Sequence, residues 1–324
     1  MSSSLLSVQN LKTHFFLRRG TVKAVDDVSF DIGRGEIVGL VGESGSGKSV
    51  TAQSIMRIVS FPGKTIGGKV LMNNENLLDK SNSEMNKIRG GKMSMIFQDP
   101  LSSLNPVIRV GDQIAEVVKL HLGLGKESAY DRVYKVMEDV GIVNPELRSK
   151  SYPFQFSGGM RQRIMIAMAL SCDPKIIIAD EPTTNLDVMV QAQILDLIKK
   201  LAKSSGISIL LITHNLGIVA WLCDKVVVMY GGEIKEMGST SAVFNQPMHP
   251  YTIMLMKCLP RPNDARSNLE VIPGNVPDLI HPPSGCRFHP RCFRAHDDCS
   301  STPQKLVEVE NNHWVSCNYH GVEG

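Results

Sequence analysis

The chain has 324 residues, 42% of them apolar and 21% charged, with a net charge of +3. That length allows one large domain with an appendage, and so small a positive excess makes no electrostatic case for nucleic acid or a strongly anionic membrane as partner. No apolar run reaches the roughly eighteen residues that a membrane-spanning helix needs, and the opening MSSSLLSVQN, without charged and apolar leader regions, is not expected to act as a secretory signal.

Residues 5–41 alternate strand-like runs with turns, including Val25–Ile32 and Glu36–Val41. The second run leads into Gly42–Ser49, GESGSGKS, which fits the G-x-x-x-x-G-K-[ST] pattern in its required strand–loop–helix context. Gly42, Gly45 and Gly47 let the backbone curl so that successive N–H groups point at one anion. The N-terminus of the helix predicted over Ser49–Met56 adds its dipole. Lys48 supplies a cation for β- and γ-phosphates, and Ser49 a hydroxyl for Mg²⁺. Ser44, Ser46 and Val50 complete the predicted phosphate cradle.

Beyond residue 99 the pattern turns helical. Gly111–Leu120 and Glu127–Val140 carry apolar residues near a 3.6 period, with Val133, Val136, Met137 and Val140 on one face. The Pro and Asn of Leu101–Pro106 predict a loop. At Ser157 a Ser-Gly-Gly turn opens another helical run. Ile176–Ala179 then reads as a buried parallel strand ending in Asp180 and Glu181, at the end of a strand where open α/β sheets keep their ligands. Asp180 is placed to serve Mg²⁺, and Glu181 to activate water. A further buried strand, Ile209–Ile212, delivers His214. Lys225–Tyr230 and the Gly231-Gly232 turn predict a hairpin. A short helical stretch then runs to Cys258, and proline density rises from Pro260 onward, marking a loop-rich tail.

In this order the phosphate loop, Ile96-Phe97-Gln98-Asp99-Pro100, the Ser157–Met160 turn, the acidic strand, Asn185-Leu186-Asp187 and Ile212-Thr213-His214-Asn215 resemble the ATP-binding subunits of ABC transporters. The resemblance implies an α/β P-loop ABC-type ATPase core over 1–258, with an antiparallel β-layer and a helical subdomain at about 99–165. It makes Gln98 a sensor of Mg²⁺ and γ-phosphate. His214 contacts the γ-phosphate beside the catalytic Glu181. Phe15 stacks on adenine, with Phe16 or His14 as substitutes. Ser157, Gly159 and Asp187 are expected to face a nucleotide held by a partner subunit, so that ATP joins two subunits. The signature departs from the family in Phe156 and Met160, where Leu and Gln are commoner. Asn185 and Asn215 replace a small residue and an Asp. None of these removes a group the chemistry needs.

Seven cysteines are present. Cys172, Cys223 and Cys258 are scattered and read as small buried hydrophobes. Cys286, Cys292, Cys299 and Cys317 cluster in the tail, where, in a reduced compartment, they suggest a metal rather than disulfides. Thiolates suit zinc and iron–sulfur clusters alike, and no C-x-x-C pair is present. His281, His289, His296, His313 and His320 lie in the same region, keep zinc as an alternative and are expected mostly at the surface. The segments HPYT, Ile272-Pro273-Gly274 with Val276-Pro277, and GCRFHPRC resemble the C-terminal region of the oligopeptide/dipeptide transporter ATPases. That resemblance makes 259–324 a metal-binding extension whose four cysteines hold a [4Fe-4S] cluster.

The resemblance further implies a peripheral subunit on the cytoplasmic face of the cell membrane. It would pair with a second ABC ATPase, as a heterodimer, and work with two transmembrane permeases and an extracytoplasmic binding protein, with no nucleic acid. A nickel importer uses the same kind of tail and is the alternative cargo. A soluble ABC-type ATPase of translation or DNA repair is the alternative class. It is disfavoured by the single phosphate loop and the lack of a heptad tract.

Overall fold

The structure is a computed structural model describing residues 4–184, 186–259 and 272–320. The chain forms two units, residues 1–78 with 212–324, and residues 79–211.

In the first unit, β1 (Leu6–Leu17) and β2 (Gly20–Ile32) form an antiparallel hairpin. Leu6, Val8 and Leu11 on β1, with Val25, Val28, Phe30 and Ile32 on β2, are buried; they alternate two by two except where the pairing shifts register, between Val8 and Leu11 and between Val25 and Val28, and there the same face stays covered. β3 (Ile37–Val41) is buried at all five positions, the burial of a strand covered on both faces. It leads through the glycine-rich loop into α1 (Lys48–Met56). β4 (Gly63–Met72) and β5 (Glu75–Asn76) complete a sheet of order β2-β1-β4-β5, the expected antiparallel layer.

The second unit starts with α2 (Asn82–Ile88), whose first turn is closed by a capping box between Ser81 and Glu84. β6 (Met93–Ile96) follows, then α3 (Pro100–Ser103), α4 (Val110–Leu122), α5 (Lys126–Asp139), α6 (Pro145–Arg148) and α7 (Gly158–Leu170). α5 buries Val133, Val136 and Met137, with Val140 just beyond its end, so the face read from the sequence is the packed one. The loop predicted for Leu101–Pro106 is corrected. Its first part belongs to the helical turn α3, which Pro100 opens with its fixed φ. The Ser102 and Ser103 hydroxyls donate back to the Asp99 carbonyl at 3.2 and 2.7 Å, which closes the turn. β7 (Ile176–Asp180), buried throughout, lies parallel to β6. α8 (Val188–Ser205) and β8 (Ser208–Thr213) lead back to the first unit.

There α9 (Leu216–Leu222) precedes β9 (Lys225–Tyr230), which runs parallel to β3, and β10 (Glu233–Ser239), which completes the predicted hairpin. α10 (Thr240–Asn245) and α11 (Pro250–Lys257) follow. The beginning of the proline-rich tail, 260–271, lies outside the described residues. The rest is less loop-rich than expected, because β11 (Val307–Glu310) and β12 (His313–Val315) form a hairpin that pairs with β10. These strands are four and three residues long and draw their order from a partner far back in sequence, so no local run announces them.

Two further expectations need correction. Cys172 and Cys223 are buried, but Cys258 is only half-buried. His313 is not a surface residue. It is 1% exposed, with Nε2 2.8 Å from the fully buried Glu236 carboxylate. Glu236 also accepts the Met248 and His249 amides, both at 2.9 Å, and a carboxylate buried this deeply needs such partners. No helix among the described residues is long and apolar enough to cross a membrane.

Candidate functional site

The glycine-rich loop has the curl its sequence predicts. Gly42 has φ +152 and Gly47 φ +103. A Cβ at Gly42 would fall 2.1 Å from the Met229 carbonyl oxygen, and one at Gly47 would fall 2.3 Å from that of Ala24. Only glycine lets the loop run this close to β9 and β2. Gly47 caps α1, so the helix N-terminus faces the loop. The Gly232 amide donates to the Ser46 carbonyl at 3.0 Å and ties the loop to the β9–β10 turn. Lys48 is buried, and its Nζ donates to the Gly42 and Glu43 carbonyls, both at 2.8 Å, and to Ser46 Oγ at 3.4 Å. Ser44 and Gly45 are exposed, while Ser49 and Val50 are half-buried.

In the second unit the structure brings Gln98 and Glu181 together. Gln98 Nε2 donates to Glu181 Oε2 at 2.9 Å, and Thr184 Oγ1 donates to the same oxygen at 3.0 Å. Glu181 has φ +45, a left-handed conformation that non-glycine residues seldom adopt, just past the end of β7. Asp180 is the last residue of that strand and is 6% exposed. Ser157 caps α7, its Oγ accepting from the Met160 amide at 3.4 Å. A Cβ at Gly159 would lie 2.6 Å from Val190, so glycine admits α8 at that point. The Asp187 carboxylate caps α8, accepting from the Val190 amide at 3.0 Å. Asn185 lies outside the described residues.

His214 follows β8 and is exposed. Asn215 after it has a local role: its Oδ1 accepts from the Gly217 and Ile218 amides at 2.9 and 3.3 Å, capping α9. Asn and Asp cap equally well, so the departure from Asp keeps this helix start. Phe15 is half-buried on β1, and the missing side chain of Gly63 leaves room for its ring: a Cβ there would come within 2.7 Å of it. Phe16 is 50% exposed, and His14 is half-buried.

Cys286, Cys292, Cys299 and Cys317 all line one small cavity, together with His249, His289 and Tyr319. Burial, and then the other three cysteines, push the Cys292 thiol up to about 11. Burial raises Cys317 as well. Among the described residues no group of three or more His, Cys, Asp or Glu side chains is arranged to hold a metal ion. The four cysteines expected in one cluster do line a common cavity, but without the arrangement of ligands that a metal ion needs.

Sequence reasoning missed Glu43, Tyr251 and Arg291. Glu43 occupies a variable position of the phosphate-loop pattern, yet the tail holds it by side chain and main chain: Arg291 forms a two-pronged pair with its carboxylate, and the Tyr251 hydroxyl accepts from its amide. The Arg291 contact spans 248 residues, and no local signal reports such a pairing.

The glycine-rich strand–loop–helix of the first unit, and the acidic strand end and Ser-Gly-Gly helix cap of the second, are the features expected of a nucleotide-binding ATPase. The comparisons agree. The ABC transporter family matches residues 25–184, and the family described as oligopeptide/dipeptide transporter, C-terminal region, matches residues 235–299. The oligopeptide transport ATP-binding protein AppD of Bacillus subtilis is 46% identical over 99% of this chain and 98% of its own length. The dipeptide transport ATP-binding protein DppD of the same organism is 48% identical over 97% of this chain and 94% of its own. Among solved structures, a dimeric ATP-binding cassette in a post-hydrolysis state with ADP and Pi aligns with a TM-score of 0.65 and 26% identity, over 72% of this chain and 98% of its own. The chain belongs to the ABC transporter ATP-binding proteins. Within them it falls in the group that carries the oligopeptide/dipeptide transporter C-terminal region.

Proposed function

We propose that this chain is an ATP-hydrolysing motor that drives uptake of dipeptides or oligopeptides through membrane permease subunits. The observation that carries its catalytic part is the Gln98–Glu181 hydrogen bond, which joins the amide expected to sense Mg²⁺ to the carboxylate expected to activate water. In this reading the Gly42–Val50 segment and Lys48 hold the phosphates, and Ser49, Gln98 and Asp180 hold Mg²⁺. Glu181 polarises the attacking water, and His214 keeps it in line with the γ-phosphate. Phe15 stacks on adenine. Ser157, Gly159 and Asp187 face the nucleotide of a second ATPase subunit. Exposure of Val188 and Met189 at the start of α8, 78% and 73%, supports a contact there. The ATPase core would end near residue 258 and the tail occupy 259–324, with the working complex at the cytoplasmic membrane face.

The cargo is tested by reconstituting the chain with its partner ATPase and permeases in vesicles. ATP-dependent uptake of a labelled dipeptide or short peptide is the expected result. Uptake of Ni²⁺ in its place overturns the peptide assignment.

Cys286, Cys292, Cys299 and Cys317 would hold a [4Fe-4S] cluster, which supplies a covalent staple for a tail with little apolar core of its own. An anaerobically purified chain is expected to be brown and to contain iron and sulfide. A colourless chain containing zinc overturns the cluster.

A further inference from the structure

The segment between Cys286 and Cys292 is bolted onto the ATPase at three side chains. Arg287 donates to the Gly231 carbonyl at 2.5 Å and pairs with Asp26 at 2.5 Å and Glu233 at 2.9 Å. Phe288 is fully buried, its ring 5.1 Å from that of Tyr230 and 5.3 Å from that of Tyr251. Arg291, whose side chain is 5% exposed, reaches the phosphate loop.

All five donors of the Arg291 guanidinium are engaged. Nη1 donates to Glu43 Oε2 at 2.7 Å and to the Tyr230 hydroxyl at 3.3 Å. Nη2 donates to Glu43 Oε1 at 3.0 Å and to the Ile272 carbonyl at 3.3 Å, and Nε to the Pro273 carbonyl at 2.7 Å. A planar fork used this way fixes direction as well as distance. Glu43 in turn carries the geometry of the loop. Its carbonyl accepts from Lys48 Nζ at 2.8 Å and from the Ser46 amide at 3.2 Å, and its own amide donates to the Tyr251 hydroxyl at 2.9 Å. A shift of Glu43 therefore shifts the lysine that meets the phosphates. The Glu43 carboxylate is also a negative charge on a loop built to receive a polyanion, and the Arg291 guanidinium offsets it.

We propose that Arg291 is a positioning residue of the nucleotide site: by clasping and neutralising Glu43 it sets the curl of the phosphate loop, so that the cysteine-bearing tail forms part of the ATP-binding apparatus. The proposal rests on the reading of Gly42–Ser49 as the nucleotide site.

The test is ATP-analogue affinity and steady-state ATPase kinetics on the full chain, with melting temperature measured alongside. Arg291→Ala is expected to weaken nucleotide binding about tenfold, raising KM with little change in kcat at saturating ATP. Arg291→Lys keeps the charge without the fork and recovers part of the loss. Adding Glu43→Gln to Arg291→Ala removes the uncompensated carboxylate and is expected to restore affinity rather than weaken it further. A mere loss of stability lowers the melting temperature without such rescue. Unchanged affinity in Arg291→Ala, or losses that add in the double variant, overturn the proposal. Should Arg291→Ala fail to fold, Arg291→Lys decides alone: weaker binding with a near-unchanged melting temperature supports the clasp, and unchanged binding overturns it. Lys48→Ala separates the two readings. If it weakens binding about a hundredfold while the Arg291 variants leave affinity unchanged, only the clasp falls. If neither changes binding, the site itself falls.

Discussion

Glu181→Gln is expected to lower ATP turnover by about 10²–10⁴-fold, the range lost with a positioned general base, while ATP still binds. The side chain is held in place because one carboxylate oxygen accepts from both Gln98 and Thr184. The amide of Gln has the same shape but no basic oxygen. Neither hydrogen bond touches the phosphate loop, so phosphate recognition survives the change. Single-turnover hydrolysis and analogue binding, measured on the same preparation, separate the two effects. Turnover at the unmodified rate removes Glu181 from the chemistry, and loss of binding reassigns it to nucleotide recognition.

Lys48→Ala is expected to weaken ATP binding by about a hundredfold, equivalent to about 2–3 kcal/mol for charge-assisted hydrogen bonds. Two losses combine. The cation for the β- and γ-phosphates disappears, and so do the Nζ bonds that join the Gly42 and Glu43 carbonyls to the start of α1. Lys48→Arg keeps the charge but brings a broader, planar head into a buried space, so it is expected to rescue little. Equilibrium titration with a fluorescent ATP analogue reads both variants. Tight binding by Lys48→Ala contradicts the phosphate role.

The parts legible in the sequence were those in which residue type and close spacing carry the physics. Gly42–Ser49 could be read because its glycines and lysine follow a short fixed spacing, and the structure has the positive φ angles those glycines predict. The amphipathic face of α5 was legible because burial on a helix repeats every three to four residues. Asn215 shows the limit. Its type marks a departure from the family, but only the structure reveals an N-cap that keeps the segment regular. The hairpin of β11 and β12 was illegible because its strands are short and its stabilising partner is β10.

Residue order alone was therefore enough for the phosphate loop, the acidic strand end, the helical stretch and the family, since each is encoded by neighbours in the chain. Which distant side chains meet was settled by the packing of the folded chain. Gln98 reaches Glu181 across 83 residues, and Arg291 reaches Glu43 across 248. His313 is buried on Glu236, and four cysteines without a C-x-x-C pair face one cavity. Charged and thiol groups carry no periodic signature of their partners. Their pairing follows from how strands and tail pack, because a charge removed from water is tolerated only where packing delivers its counterpart.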